Sequence, residues 1–131
     1  MNINDYTGIH YDFRKRNCWH HVRIVRADAG LETPAFDVAS PTAINEAFDE
    51  GHRNTKGLTK IDKPENFCAV LMGYRRGGRI VWHAGVYFDG MVSHCELALL
   101  SFRIASWSGN PPLSHCELAK QSRLITSTFL H

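Results

Sequence analysis

The sequence predicts an α+β domain in which an N-terminal, cysteine-bearing helix packs on an antiparallel sheet. Two patterns carry this reading. From Asn17 onward, Cys18, Val22, Val25 and Ala29 recur at helical spacing, forming one apolar face that closes at Gly30. After Pro64 the pattern changes to short apolar runs broken by turn residues, and Asp89-Gly90 is a two-residue hairpin signal between two of them. With 131 residues, 44% of them hydrophobic, the chain can build one core and is expected to form a single domain over 1–131.

The elements follow in order. Residues 1–16 are polar and aromatic and end in Arg14-Lys15-Arg16, a solvated basic patch able to attract an acidic wall polymer or a partner protein. Asn17 stands where an N-cap belongs, with Cys18 at the first helical position. The stretch from Leu31 to Thr42, with Pro34 and Pro41, reads as a loop. Ser40-Pro41 then opens a second helix through Phe48, the proline being tolerated in its first turn. Gly51 to Lys63 reads as an exposed connection. Phe67 to Met72 suits a buried strand, Tyr74 to Arg79 a hairpin turn, and Ile80 to Phe88 a second strand. A third strand follows from Met91 to about Leu100. Ser101 to Trp107 fits strand or helix, residues 108–112 a loop, and Glu117 to Phe129 again strand or helix. Ser93-His94-Cys95-Glu96-Leu97-Ala98 recurs as Ser114-His115-Cys116-Glu117-Leu118-Ala119, too short a unit for a repeat architecture.

Composition removes several function classes. Fifteen basic residues against thirteen acidic ones give a net charge of +2, so no strong field points at nucleic acid. No apolar run approaches the ~20 residues that span a bilayer, so no membrane insertion is expected. The N-terminus has neither a basic n-region nor an apolar h-region, and synthesis in the cytoplasm without a signal peptide is expected. The four cysteines form no Cys-x-x-Cys, which excludes a zinc ribbon and a thioredoxin-like motif and favours free thiols. His94-Cys95 and His115-Cys116 invite a metal reading. Neighbouring strand residues point to opposite faces, however, so each pair would supply one ligand, and no metal or cofactor is expected.

What remains is thiol chemistry. A cysteine attacks as thiolate and needs a helix N-terminus or a nearby base to lower its pKa. Cys18 opens a helix, whose free amides favour negative charge and could stabilise an oxyanion. His83, in mid-strand, is the candidate base, and Gly85 on the same face would leave space beside the imidazole for a substrate carbonyl. A third group should orient the imidazole. If Asp89-Gly90 is a two-residue turn, Phe88 pairs with Met91, Gly85 faces His94 and His83 faces Glu96. Both His94 and Glu96 are then available, while a three-residue turn reverses the parity. His20 and His21 are expected on the solvent flank of the helix, with His21 one turn from Cys18.

These residues resemble a known family. Asn17-Cys18-Trp19-His20-His21-Val22 is similar to the helix start of the NlpC/P60 cysteine peptidases, and its Trp19 to their phage-tail branch. His83-Ala84-Gly85-Val86-Tyr87-Phe88-Asp89-Gly90 resembles the family's His strand and turn, and Pro64 to Leu71 the strand that precedes it. The resemblance covers roughly residues 6–100. It implies a papain-like fold and a thiol hydrolase acting on peptidoglycan stem peptides, with Cys18 as nucleophile, His83 as base and His94 as third residue. It further implies a substrate or oxyanion site shaped by Tyr11 (Tyr6 being the next choice), Trp19 and Gly85. Its partners would be wall peptides and other tail proteins, and its place the virion of a phage or phage-derived tail. The family usually has Asp before its Cys and Gly two after, where this chain has Asn17 and His20. That departure motivates a second reading, a structural tail-tip subunit without turnover. A third is a deamidase or transglutaminase-like enzyme using the same Cys-His chemistry.

Overall fold

Helix α1 runs from Cys18 to Asp28 in the computed structural model, which describes residues 2–6, 8–35, 40–53, 57–95, 116–120 and 126–130. Asn17 has extended backbone, and its Oδ1 accepts from the amides of Trp19 (3.0 Å) and His20 (2.9 Å). His20 Nδ1 accepts in return from the Asn17 amide at 3.4 Å. This is a capping box with histidine in the place usually held by Glu or Gln, and it satisfies amides that a helix start leaves without partners. Asn17 Nδ2 also donates to the Phe13 carbonyl at 2.9 Å, tying the cap to the preceding loop. Asn17→Ala is therefore expected to cost about 1–2 kcal/mol, read as a lower urea midpoint with an unchanged m-value.

Helix α2 spans Pro41–Arg53 and continues through Gly51 and His52, which the sequence assigns to an exposed connection. Tertiary contacts outweigh the cost of about 1 kcal/mol for a helical glycine. Ile44 and Phe48 are buried, while Asn45 Oδ1 accepts from the Trp82 amide (2.7 Å) and Asp49 Oδ1 from its indole (3.0 Å).

The strands are β1 (Lys60–Ile61), β2 (Ala69–Arg76), β3 (Arg79–Phe88), β4 (Met91–Cys95), β5 (Cys116–Lys120) and β6 (Thr126–Leu130). They form a six-stranded antiparallel sheet in the order β1-β6-β2-β3-β4-β5. The α+β class is thus as expected, and the ambiguous tail contributes two strands. The β2–β3 turn is only Gly77-Gly78, shorter than the turn expected over Tyr74 to Arg79. Both glycines have positive φ (54° and 77°), as do Asp89 (47°) and Gly90 (82°), the backbone that a tight two-residue hairpin demands. Residues 96–115 and 121–125 lie outside the described residues. So do the readings made of Glu96, of the third strand beyond Cys95 and of residues 101–112.

Alternation gives the sheet two apolar faces. Ala69, Leu71, Trp82, Ala84 and Val86 form one core with Cys18, Trp19, Val22 and Val25 of α1 and Ile44 and Phe48 of α2. Cys68, Val70, Met72 and Val92 form a second cluster on the other face, with Ile61 and Tyr87 packed against it. Arg26 is also buried on α1, its charge met by Thr33 Oγ1 (2.8 Å) and the carbonyls of Phe67 (2.6 Å) and Glu32 (3.3 Å).

Candidate active site

The Asp89-Gly90 turn sets the register of β3 on β4: Phe88 opposite Met91, Tyr87 opposite Val92, Val86 opposite Ser93 and Gly85 opposite His94. His94, the diagonal neighbour, thereby meets His83. Their rings stand edge-on with centroids 4.9 Å apart, and His83 Nε2 lies 2.9 Å from His94 Nδ1. Both imidazoles are buried. Burial foremost, then the neighbouring His94 and His21, hold the pKa of His83 well below that of an ordinary histidine. His83 is therefore a neutral imidazole at neutral pH, the state a base requires.

That shift has a consequence for stability. The unfolded chain takes up the His83 proton near pH ~6.5, before the native state can. The contribution of neutral His83 is then complete above that pH. It is lost as pH falls through it toward the native pKa, at up to about 1.4 kcal/mol per pH unit. Urea midpoints are expected to fall between pH 7.5 and 5, and His83→Gln is expected to flatten the slope.

Cys18 is buried at the start of α1, against the face of the sheet that carries Ser93 and Cys95. Two contacts lock this helix start to β4. His21 Nε2 lies 2.8 Å from Ser93 Oγ, and Arg16 Nη2 lies 3.4 Å from His21 Nδ1. A guanidinium only donates, so Nδ1 accepts and Nε2 donates to Ser93. The Cys95 thiol in turn donates to the Arg16 carbonyl at 3.5 Å. The tyrosine beside Cys18 is Tyr11, whose hydroxyl is pushed up to about 12 by burial, then by the nearby Cys18 and Cys95. Tyr6 instead donates to Asp28 at the far end of α1 (2.5 Å).

Strand alternation directs His83, Gly85 and His94 to the face shared with Val70, Met72 and Val92, and Ser93 and Cys95 to the face under α1. The two groups therefore lie on opposite faces of the sheet, near one end of it. The β3–β4 ladder ends at the Gly85–His94 pair, and Arg16 is anchored on Cys95, the next residue of β4. His83 lies beyond that end, close enough to the first turn of α1 to be depressed by His21.

Three expectations are corrected. Gly85 does not leave open space. A Cβ there would stand 2.5 Å from Val92 Cγ1, 2.9 Å from the Ser93 carbonyl oxygen and 3.2 Å from His94 Cβ, so this glycine lets β4 lean in and bring His94 to His83. Trp19 does not line a substrate site. It is 2% exposed, donates through Nε1 to the Pro34 carbonyl (2.7 Å) and packs on Phe48, since the apolar surface of α2 covers that side of α1. Its amide and that of His20 are taken by Asn17, so neither is an oxyanion donor. His21 does not face solvent: it is fully buried by its bond to Ser93. The two-residue turn that pairs Gly85 with His94 also pairs Val86 with Ser93, a signal that could have placed a polar partner under the helix.

Compared with protein-family models, curated proteins and solved structures, the chain finds no match. Among the described residues no helix is long and apolar enough to cross a membrane, and no three His, Cys, Asp or Glu residues converge to hold a metal.

Proposed function

We propose that the protein is a cysteine hydrolase of the NlpC/P60 type with a papain-like fold, carried in a phage or phage-derived tail and cleaving amide bonds of peptidoglycan stem peptides. The observation that supports it most is the buried His83–His94 pair, 2.9 Å apart, at the end of the ladder where the helix opened by Cys18 is docked. In this reading the Cys18 proton reaches His83, which faces the other side of the sheet, around the end of the β3–β4 ladder, and the thiolate, favoured by the helix dipole, attacks the carbonyl carbon. The imidazolium then protonates the leaving amine as the C–N bond breaks, which leaves a thioester. His83 takes a proton from water, the hydroxide displaces the thiolate, and the acid is released. His94 holds the His83 ring in place. Tyr11, kept protonated by burial and by the neighbouring thiols of Cys18 and Cys95, is the candidate donor to the oxyanion. A tail component reaches the wall by assembly, without secretion.

A second reading, a structural tail subunit with no turnover, is favoured by the 7% exposure of Cys18 and by His20 in the position where the family carries glycine. Iodoacetamide labelling of the four cysteines from pH 5 to 9, followed by peptide mass spectrometry, separates the two. Cys18 is expected to label fastest, with an apparent pKa below the ordinary ~8.5. Cys68 is expected to be slow, because burial raises its thiol pKa. Similar rates at all four would overturn the hydrolase in favour of the structural role.

A further inference from the structure

The outer side of α1 carries a cleft of about 760 Å³ for which the proposed chemistry has no use. Lys15, His20, Arg23 and Ile24 form one side of it, and Leu31 and Leu58 contribute to the other. Arg23, Ile24 and Ala27 occupy the exposed face of the helix, whereas Cys18, Val22 and Val25 are buried on the face turned to the sheet. The body of α1 therefore separates this cleft from the thiol.

Two features of the cleft call for a ligand of particular chemistry. Ile24, 36% exposed, is one of only two large hydrophobic residues exposed among the described residues, and it stands inside a concavity with further apolar side chains. A single exposed isoleucine on a flat surface needs no explanation, but one within an apolar-walled cleft offers a seat for a side chain. Among the described residues that line the cleft, Lys15 and Arg23 stand against one acidic residue, Glu32. The positive potential is felt by His20, whose pKa is lowered by burial and then by Arg23 and Arg16.

We infer that this cleft docks an acidic peptide segment of a partner protein, with a leucine-like side chain against Ile24 and Leu58 and flanking carboxylates on Lys15 and Arg23. Charge complementarity selects the carboxylates, and the apolar seat selects a peptide over a bare polyanion. Two cations over an apolar wall are too few to track a nucleic-acid backbone.

The test is fluorescence anisotropy with a labelled peptide of alternating Glu and Leu, beside its Gln-for-Glu and Ser-for-Leu counterparts and poly-aspartate. The Glu/Leu peptide is expected to bind about tenfold more tightly than the Gln version and about fivefold more tightly than the Ser version. Arg23→Glu and Ile24→Ser are each expected to weaken it severalfold, and both positions are exposed enough for the variants to fold, which circular dichroism checks. Cys18→Ala should leave binding unchanged, so the result is independent of whether the thiol is catalytic. No binding, equal affinity for the Glu and Gln peptides, equal binding of poly-aspartate, or full affinity in Arg23→Glu would each overturn the inference.

Discussion

His83→Ala is expected to lower turnover on purified peptidoglycan by about a thousandfold or more and to slow the neutral-pH alkylation of Cys18 to the rate of an ordinary thiol. Both effects have one cause in the proposed mechanism, where His83 supplies the base that generates the thiolate and the acid that protonates the leaving amine. His94→Ala should cost less, about tenfold to a hundredfold, because the neighbour orients the ring and does not itself transfer the proton. The two variants also differ in their pH profiles. Without His94 the base persists, but its pKa rises toward that of an ordinary histidine as one of its two neighbouring imidazoles is lost. Removing either ring leaves the other with an unmet buried polar atom, at about 1–3 kcal/mol, so circular dichroism must accompany the kinetics. A folded His83→Ala protein that keeps its turnover would place the base elsewhere and dissolve the proposed dyad.

Much of this arrangement is legible in the sequence because it is local. Asn17 caps the helix because its side chain reaches amides two and three residues on, and Cys18 follows as the first helical residue. Asp89-Gly90 is a turn that fixes register, and one register decision places His94 beside His83. What is not legible depends on contacts distant in sequence. Helical period places His21 on a flank, yet only the docking of β4 under that flank buries it against Ser93. Gly85 reads as space because a missing side chain has no stated neighbour until β4 is set down beside it. The tail strands are ambiguous for the same reason: β6 is inserted between β1 and β2, a pairing that no local pattern encodes. The hexapeptide repeat gains a physical account here as well. Ser93, His94 and Cys95 of the first copy pair with Leu118, Glu117 and Cys116 of the second, so the described parts of the two copies face each other across one antiparallel ladder.

The largest loss of stability is expected at Gly85, and it bears on the site as much as on the fold. A Cβ there would come within 2.5 Å of Val92 Cγ1 and 2.9 Å of the Ser93 carbonyl oxygen. The valine can turn away, but the carbonyl is held in the ladder, so β4 itself must retreat. Gly85→Ala is therefore expected to cost about 2–3 kcal/mol in urea unfolding, and Gly85→Val more. If the valine were the whole obstacle, Val92→Ala would rescue Gly85→Ala completely. The backbone clash allows only part of that recovery, and a double-mutant cycle measures how much. The retreat of β4 also carries His94 away from His83, so Gly85→Ala should impair turnover and weaken the pH dependence of stability together. A Gly85→Ala protein within about 0.5 kcal/mol of the parent would mean that β4 does not approach so closely, and the reason given for the meeting of the two imidazoles would fall with it.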